Sequence, residues 1–502
     1  MHYNSVHLHV HNSTPFLPGI SHLLHGCRPR PQRDQIRLQI KRLQRQSLSR
    51  LCEVFGAWLP MDLFKSAPNG TNSRERVFST SLTFWAYLSQ ILDPGCACRE
   101  VVRKVQVWHA RRLQPMPRSG TGAYCQARKR LPLETLLSAH RKLADRLMAP
   151  AADSGNWRGH RIRVVDGTGV SMPDTPQNRK GYSQPSQQKP GCGFPVMGLV
   201  GVFCLQTGAL LRWVQGQLEE HECRLFMTLI EFFEPGDIVL ADRGFSGYGQ
   251  LAALKNRKVD SLMHLHQARK EDCRKGKRPG KRDRLVTWKR PYRTKTSLFS
   301  KEAWEALPET LTVRLVQITV NIPGFRTHKY TVVTTLLDPE RYPAAELGRL
   351  YFRRWTVEVF YRDIKQTMAM DILRCKSPEM IDKELAMHAI AYNLIRALMA
   401  DIAATYQVAI ERISFKGTLD ALRQWQPLFE NGPRGARVSR KRIEQFYQTV
   451  ADDPLILRRE RSEPRAVKRR PKNYRLITKP RPKMVVEPSR KQSQKPSKPC
   501  LI

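Results

Sequence analysis

From Gln35 to about Leu147 apolar residues recur at spacings of three and four, as in Leu51, Val54, Phe55, Trp58 and Leu59, and again in Val101, Val102, Val105 and Trp108. That is the period of amphipathic helices. Pro94-Gly95 and Pro115-x-Pro117 punctuate the run. From His160 the period changes. Arg161–Val165 is a short β-rich run ending at Asp166, and 198–206 and 209–216 are two more, joined at Thr207-Gly208. Residues 223–233 read as an amphipathic helix and 237–241 as a buried strand ending at Asp242. A helix is expected over 248–256 and a strand over 261–265. The order is therefore strand, strand, strand, helix, strand, helix, strand.

A basic stretch with Gly276, Pro279 and Gly280 follows. Residues 311–322 and 329–337 are β-rich, so a β insertion separates the strands from a long helix expected between Pro343 and about Met370. The apolar stretch 384–406 predicts a further core helix, with Tyr392, Leu394, Ile395 and Leu398 on its packing face. At the ends the patterning fails. Residues 1 to about 33 are rich in His, Pro and Arg and read as a disordered leader; alternatives are a metal-binding stretch built on His7, His9 and His11, or an over-extended start. From Arg458 to Lys498 there are 16 Lys or Arg and three Glu, and Pro464, Pro471, Pro480 and Pro482 forbid a continuous helix. The expected units are thus the leader (1–33), a helical N-terminal domain (34–150), a first part of an α/β core (158–266), a basic, β-rich insertion (267–340), a second part of the core (341–410), a helical region (411–457) and a basic, Pro-rich tail (458–502).

Charge turns this pattern toward a partner. The 502 residues hold 86 Lys and Arg against 44 Asp and Glu, a net charge of +42. Such an excess calls for a polyanion, and phosphates reward it by counterion release. No uninterrupted apolar stretch of roughly 18 residues offers a membrane span. The helical N-terminal segment suits binding of DNA ends, with a dimerisation scaffold as the alternative. The tail suits phosphate contact, with simple solubilisation as the alternative. Eleven cysteines, with Cys96 and Cys98 the closest pair and no C-x-x-C, argue for reduced thiols rather than a disulfide framework or a zinc finger.

Two aspartates sit at strand ends, Asp166 before Gly-Thr and Asp242 before Arg-Gly-Phe. Joined by a third carboxylate, they would make an oxygen-rich pocket suited to Mg²⁺ or Mn²⁺. Taken alone each motif is weak, since an Asp-Gly pair at a strand end is more often a turn. Within 351–365, Tyr351, Arg354, Glu358 and Lys365 are three, four and seven residues apart. On a continuous α-helix, at about 100° per residue, they fall within an arc of roughly 60°. Glu358 could complete a metal site while Arg354 and Lys365 hold phosphates; a solvated face with an Arg354/Glu358 pair is the alternative. Asp174, in a Pro-rich loop, is a rival to Asp166. Asp363 falls about 140° around the same helix from Glu358 and is expected to be solvated. Arg243 serves either substrate phosphate or a structural ion pair.

The spacing Tyr351-x₂-Arg354-x₃-Glu358-x₆-Lys365 resembles the Tyr-Arg-Glu-Lys signature of a large group of bacterial insertion-sequence DDE transposases. Asp166-Gly-Thr with Pro173-Asp-Thr-Pro-x-Asn178 resembles that group's first-aspartate region, and Asp242-Arg-Gly-Phe its second. The likeness spans about residues 50–480. It implies a ribonuclease-H-like core with a β insertion between the second Asp and the Glu. It also implies a cut-and-paste enzyme with Asp166, Asp242 and Glu358 as catalytic, metal-binding triad for two ions. Tyr351, Arg354 and Lys365 would contact DNA near the cleaved phosphate, and a homodimer would pair terminal inverted repeats and join them to target DNA in the bacterial cytoplasm, at the nucleoid. Some relatives stack a flipped base on an aromatic residue; Trp288 or Trp304 could serve, or could simply be packed. A non-catalytic DNA-binding derivative and a nuclease without strand transfer are the competing readings.

Overall fold

The computed structural model describes residues 58–59, 61–64, 76–111, 113–149, 156–269, 276–280, 282–294, 298–320, 328–431, 436–455, 480 and 483. The expected leader, and all but two positions of the expected tail, lie outside the described residues.

Four helices come first: α1 (Thr80–Leu92), α2 (Cys98–Arg111), α3 (Gly122–Arg130) and α4 (Leu133–Met148). The Ser79 hydroxyl caps α1 by accepting the Leu82 amide at 3.2 Å, which satisfies one of the first-turn donors that lack a helical partner. Next come β1 (Arg161–Ser171), the short α5 (Pro176–Gly181), β2 (Val196–Cys204), β3 (Leu210–Gln217), α6 (Glu222–Thr228), β4 (Asp237–Ala241), α7 (Tyr248–Asn256) and β5 (Asp260–His264). Apart from α5 this is the expected order. Gly208 makes the β2–β3 turn with φ +69°, and the Arg396 guanidinium occupies the space where its Cβ would be. Both features select glycine.

The insertion supplies β6 (Lys277–Gly280), β7 (Asp283–Lys289), the short α8 (Lys301–Glu305), β8 (Thr310–Val320) and β9 (His328–Thr334). Its strands continue the same sheet, because β9 pairs antiparallel with β5. One nine-stranded sheet results, in the order β3-β2-β1-β4-β5-β9-β8-β7-β6. Only β1–β4 and β4–β5 are parallel pairs. Side chains alternate between its faces. On one face Ile162, Val164, Phe203 and Leu240 join the helices α1–α4; on the other Val165, Val202 and Val239 meet Phe226 of α6 and Leu251 of α7.

The closing helices are α9 (Ala344–Phe352), α10 (Thr356–Arg362), α11 (Pro378–Tyr406), α12 (Phe415–Asn431) and α13 (Ala436–Ala451). The single long helix expected over 343–370 is instead broken twice. A 3₁₀ turn, Arg353–Trp355, separates α9 from α10, and a π turn, Asp363–Thr367, follows α10. A 3₁₀ turn overwinds the chain and a π turn underwinds it, so the uniform angular arithmetic of one α-helix does not hold across Tyr351–Lys365. α11 is long and apolar enough to cross a membrane, but 89% of that stretch is buried inside the fold. Its side chains are core.

Candidate active site

β1 and β4 run parallel in the register Arg161↔Asp237 through Val164↔Leu240. That pairing ends two residues before Asp166 and two before Asp242, so both aspartates leave the same end of the parallel pair. Asp242 follows the last residue of β4 and opens a 3₁₀ turn. Asp166 is not at a strand end, as its short β-rich run suggested: β1 runs on to Ser171, still paired with β2. What ends at Val164 is only the pairing with β4. Both aspartates therefore stand at the carboxyl end of the parallel pair, on backbone that flanking strands hold.

Burial pushes the Asp166 carboxyl up to about 6. Arg354 and the Gly167 amide, 3.0 Å from Oδ1, oppose that rise, and the nearby Glu222 and Asp242 charges add to it. Glu222, an exposed residue at the start of α6, is likewise raised, by partial desolvation first and then by Asp242. Arg354 is the cation of the group. It lies 7% exposed in the 3₁₀ turn, its guanidinium 5.9 Å from the Tyr351 ring and 5.6 Å from the Trp355 ring, and its Nε has no hydrogen-bond partner. The Tyr351 phenol is also buried, and desolvation pushes it up to about 12, with Arg354 opposing and Asp242 reinforcing.

Two side chains fasten the broken helix to β1. The Tyr361 hydroxyl donates to the Asp166 carbonyl at 2.8 Å. It lies over Gly201, where a Cβ would come within 2.7 Å of it. Lys365, in the π turn, donates to Thr168 Oγ1 at 2.9 Å and to the Gly169 carbonyl at 2.8 Å. Burial lowers its pKa, with Asp371 opposing. Glu358 is exposed, one turn after Arg354 and one turn before Tyr361.

Tyr351, Arg354, Asp166 and Asp242 thus share one electrostatic neighbourhood. Lys365 grips β1 just beyond it, while Glu358 is exposed on α10 and makes no described contact with the aspartates. Among the described residues, no three His, Cys, Asp or Glu groups converge closely enough to hold an ion as they stand. The donors themselves, hard carboxylate oxygens on adjoining strands, suit a divalent cation.

Other expectations are amended. Asp363 is not solvated: it is 5% exposed, and burial pushes it up to about 6 against the Arg362 and Arg396 charges. Trp288 is packed at 4% exposure beneath the Arg269 guanidinium, and Trp304 packs against Phe299 and Tyr248. Asp174 is exposed and pairs with Arg179 at 3.3 Å, while Arg243 donates to Gln267. In the segment after Asp166, Thr175 caps α5 and Asn178 donates to the Pro173 and Cys375 carbonyls, so that motif secures a loop. Pattern reading missed Glu222 and Tyr361. The acidic run Glu219-Glu220-His221-Glu222 ahead of the second aspartate strand was the available signal for the first.

Residues 157–394 match the family of transposase DDE domains. The matched segment is similar to a transposase DDE domain. Every residue of the Asp166, Asp242 and Tyr351–Lys365 constellation lies inside it. Over 424 residues the chain is 28% identical to the transposase InsG of insertion sequence element IS4 from Escherichia coli (strain K12), covering 81% of this chain and 89% of that protein. A looser likeness, with a TM-score of 0.38 and 8% identity over 78% of this chain and 82% of the other, is to a piggyBac transposase synaptic complex with hairpin DNA. It is too weak to carry an argument.

Proposed function

We propose that this chain is a working insertion-sequence transposase that cuts DNA at the ends of its element and joins those ends to target DNA. Asp166, Asp242 and Glu358 are its metal-binding carboxylates. The observation that carries this reading is that Asp166 and Asp242 both leave the same end of two parallel strands, two residues past their last paired positions, with the buried Arg354 and the Asp242 charge both acting on Asp166. The order β3-β2-β1-β4-β5, three antiparallel strands leading into parallel ones, supports a ribonuclease-H-like core.

Mg²⁺ or Mn²⁺, two ions per site, fits the oxygen donors; when bound, such ions activate the attacking oxygen and stabilise the leaving one. Glu358, exposed on its short helix, closes the set from the open side once ions and DNA are present. Arg354, with an unsatisfied buried Nε, offers a fixed positive group to a phosphate, and Tyr351 backs it. Lys365 holds the helix to β1 and, through that tie, sets the distance between Glu358 and the aspartates. The partners are terminal inverted repeats and target DNA, bound by a homodimer that pairs two ends. Helices α1–α4 and the basic tail bind DNA backbone, consistent with the net charge of +42. The action takes place in the bacterial cytoplasm, at the nucleoid. A non-catalytic DNA-binding derivative is disfavoured because all three carboxylates are present.

The test is cleavage of labelled DNA carrying the element's own terminal repeat, in Mg²⁺ or Mn²⁺, by wild type and by Glu358→Gln. Wild-type cutting at the repeat boundary, reduced in the variant by about a thousandfold or more with DNA affinity retained, is expected. Equal cleavage by both proteins would remove Glu358 from the site. Tight binding without cleavage by either would favour the DNA-binding derivative.

A further inference from the structure

Away from the aspartates, where the N-terminal helices meet the chain entering α11, a buried guanidinium faces sulfur. Arg128, on α3, is 8% exposed. Its Nη2 donates to Cys375 Sγ at 2.8 Å, and its Nη1 donates to Gln90 Oε1 at 3.2 Å and to Cys98 Sγ at 3.5 Å. The Tyr87 ring lies 4.2 Å from the guanidinium. None of these partners is a carboxylate, yet a buried cation calls for an anion. Burial pushes the Tyr87 and Tyr124 phenols well above their usual value and the Cys375 thiol up to about 12. Cys98 is the group placed to supply the charge.

Cys98 is the first residue of α2, where a helix favours an anion. Its Sγ accepts from Gln90 Nε2 at 3.6 Å as well as from Arg128. Gln90 is itself held, accepting the Tyr124 hydroxyl at 2.9 Å and donating to the Cys96 carbonyl at 3.1 Å. A second thiol completes the set: Cys125, on α3, hydrogen-bonds to the Cys98 sulfur. That bond, followed by the Arg128 charge, holds Cys98 below the usual thiol range against burial, and the same bond, with burial, pushes Cys125 up. Cys98 is half-buried and Cys125 exposed, so a small solute reaches both. Neutral sulfur is a weak acceptor, and an ordinary helix start needs neither a guanidinium nor a second thiol. A metal does not account for the pair, because among the described residues no three His, Cys, Asp or Glu groups could hold one.

We propose that Cys98 is a peroxide-reactive thiolate and Cys125 its resolving partner, so that a hydroperoxide converts the pair into a disulfide joining α2 to α3. A low-lying, reachable thiolate beside a second thiol is the arrangement that oxidises reversibly. The Cys98 thiolate attacks the terminal peroxide oxygen: an S–O bond forms, the O–O bond breaks, and the departing oxygen takes a proton from solvent. The sulfur is thereby oxidised to a sulfenic acid and hydrogen peroxide reduced to water. Cys125 then attacks that sulfur: the S–S bond forms, the S–O bond breaks, and the hydroxide leaves as water with the Cys125 proton. Arg128 loses its thiolate when the disulfide closes.

The experiment treats the full-length protein with hydrogen peroxide at neutral pH in the presence of dimedone, which traps sulfenic acids, and locates the products by peptide mass spectrometry. In Cys125→Ser, Cys98 is expected to gain the adduct about tenfold faster than the half-buried Cys192, since an ordinary thiol is only slightly ionised at that pH. Wild type should instead give an intramolecular peptide pair joining Cys98 to Cys125 with the loss of two hydrogens, reversed by dithiothreitol. In Cys98→Ser, Cys125 should react no faster than Cys192. Unchanged Tm in both variants before oxidation would exclude misfolding as the source of any difference. Modification of Cys98 at the rate of Cys192 would overturn the thiolate assignment. A Cys98 adduct in wild type as abundant as in Cys125→Ser, with no linked peptide, would overturn the resolving role of Cys125.

Discussion

Two groups of charged residues in the same sheet are handled in opposite ways. Between β7 and β8, Arg314 (0% exposed) and Asp283 (5% exposed) form a two-point pair at 2.8 and 2.5 Å. The remaining Arg314 donors reach the carbonyls of Asp338 at 3.2 Å and Tyr342 at 2.8 Å. That network ties the insertion strands to the chain entering α9, and it has no room for a ligand. At the carboxyl ends of β1 and β4, Asp166, Asp242 and Glu222 crowd together against one guanidinium whose Nε lacks a partner. Buried charge is tolerated when it is paired and hydrogen-bonded. The first group meets that condition within the chain; in the second Asp166 and Asp242 are only half-buried and Glu222 is exposed, so solvent stands where partners are lacking. The contrast separates a structural ion pair from a solvent-reachable cluster of like charges, the arrangement that the proposed metal site draws on.

The largest effect should come from breaking the complete pair. Asp283→Ala strands a buried guanidinium and is expected to cost roughly 3–5 kcal/mol of stability, read by denaturant unfolding in metal-free buffer. Asp242→Asn, in the same buffer, should cost nothing or give a small gain, because it removes one of several like charges. Equal losses for the two would mean that the catalytic carboxylates are as fully satisfied as the structural ones, and the distinction would collapse.

Asp363 lies between these extremes. It is buried near Arg396, with Arg362 at 3.7 Å, yet burial outweighs both cations and raises it to about 6. A carboxyl whose folded pKa lies above its unfolded value of about 3.9 binds protons more tightly in the folded state. Its ionisation therefore opposes folding, by an amount that is absent below about pH 4, grows between about 4 and 6, and is complete above. Asp363→Asn is expected to stabilise the protein by roughly 2 kcal/mol at pH 7, with the gain shrinking as pH is lowered from 7 to 5. A gain independent of pH, or a loss at pH 7, would place Asp363 with the well-paired Asp283.

Much of this was legible in the chain because strands declare themselves locally. The buried run at 237–241 and the helix at 248–256 occur where apolar periodicity put them, and both aspartates were marked by their position after such runs. Several of the failures depended on a neighbour distant in sequence. β1 runs past Asp166 because β2 continues to pair with it, which no local pattern records. The insertion continues the sheet because β9 finds β5. The segment around Glu358 is bonded to β1 through Tyr361 and Lys365, and its even α-periodicity in sequence hides the two changes of pitch. Asp363 was placed at the surface by the same assumption of a straight α-helix. Glu222 escaped notice because the helix that bears it was expected to start one residue later.

The smallest effect tests how closely the ligand-poor site depends on its support. The Tyr361 hydroxyl contributes one hydrogen bond, to the carbonyl of Asp166 itself. Its loss in Tyr361→Phe should cost about 1 kcal/mol of stability, since the ring keeps its packing against Phe203. If the site's geometry is set by such ties, the single-turnover cleavage rate should fall by about tenfold while DNA affinity holds, because no DNA-contacting group has been removed. Gly201→Ala, which drives a methyl toward the same hydroxyl, should reproduce the loss of rate. An unchanged rate in Tyr361→Phe, with the stability loss present, would show that β1 alone holds Asp166 in place, and that the catalytic group needs no more support from the helices than the Asp283–Arg314 pair does.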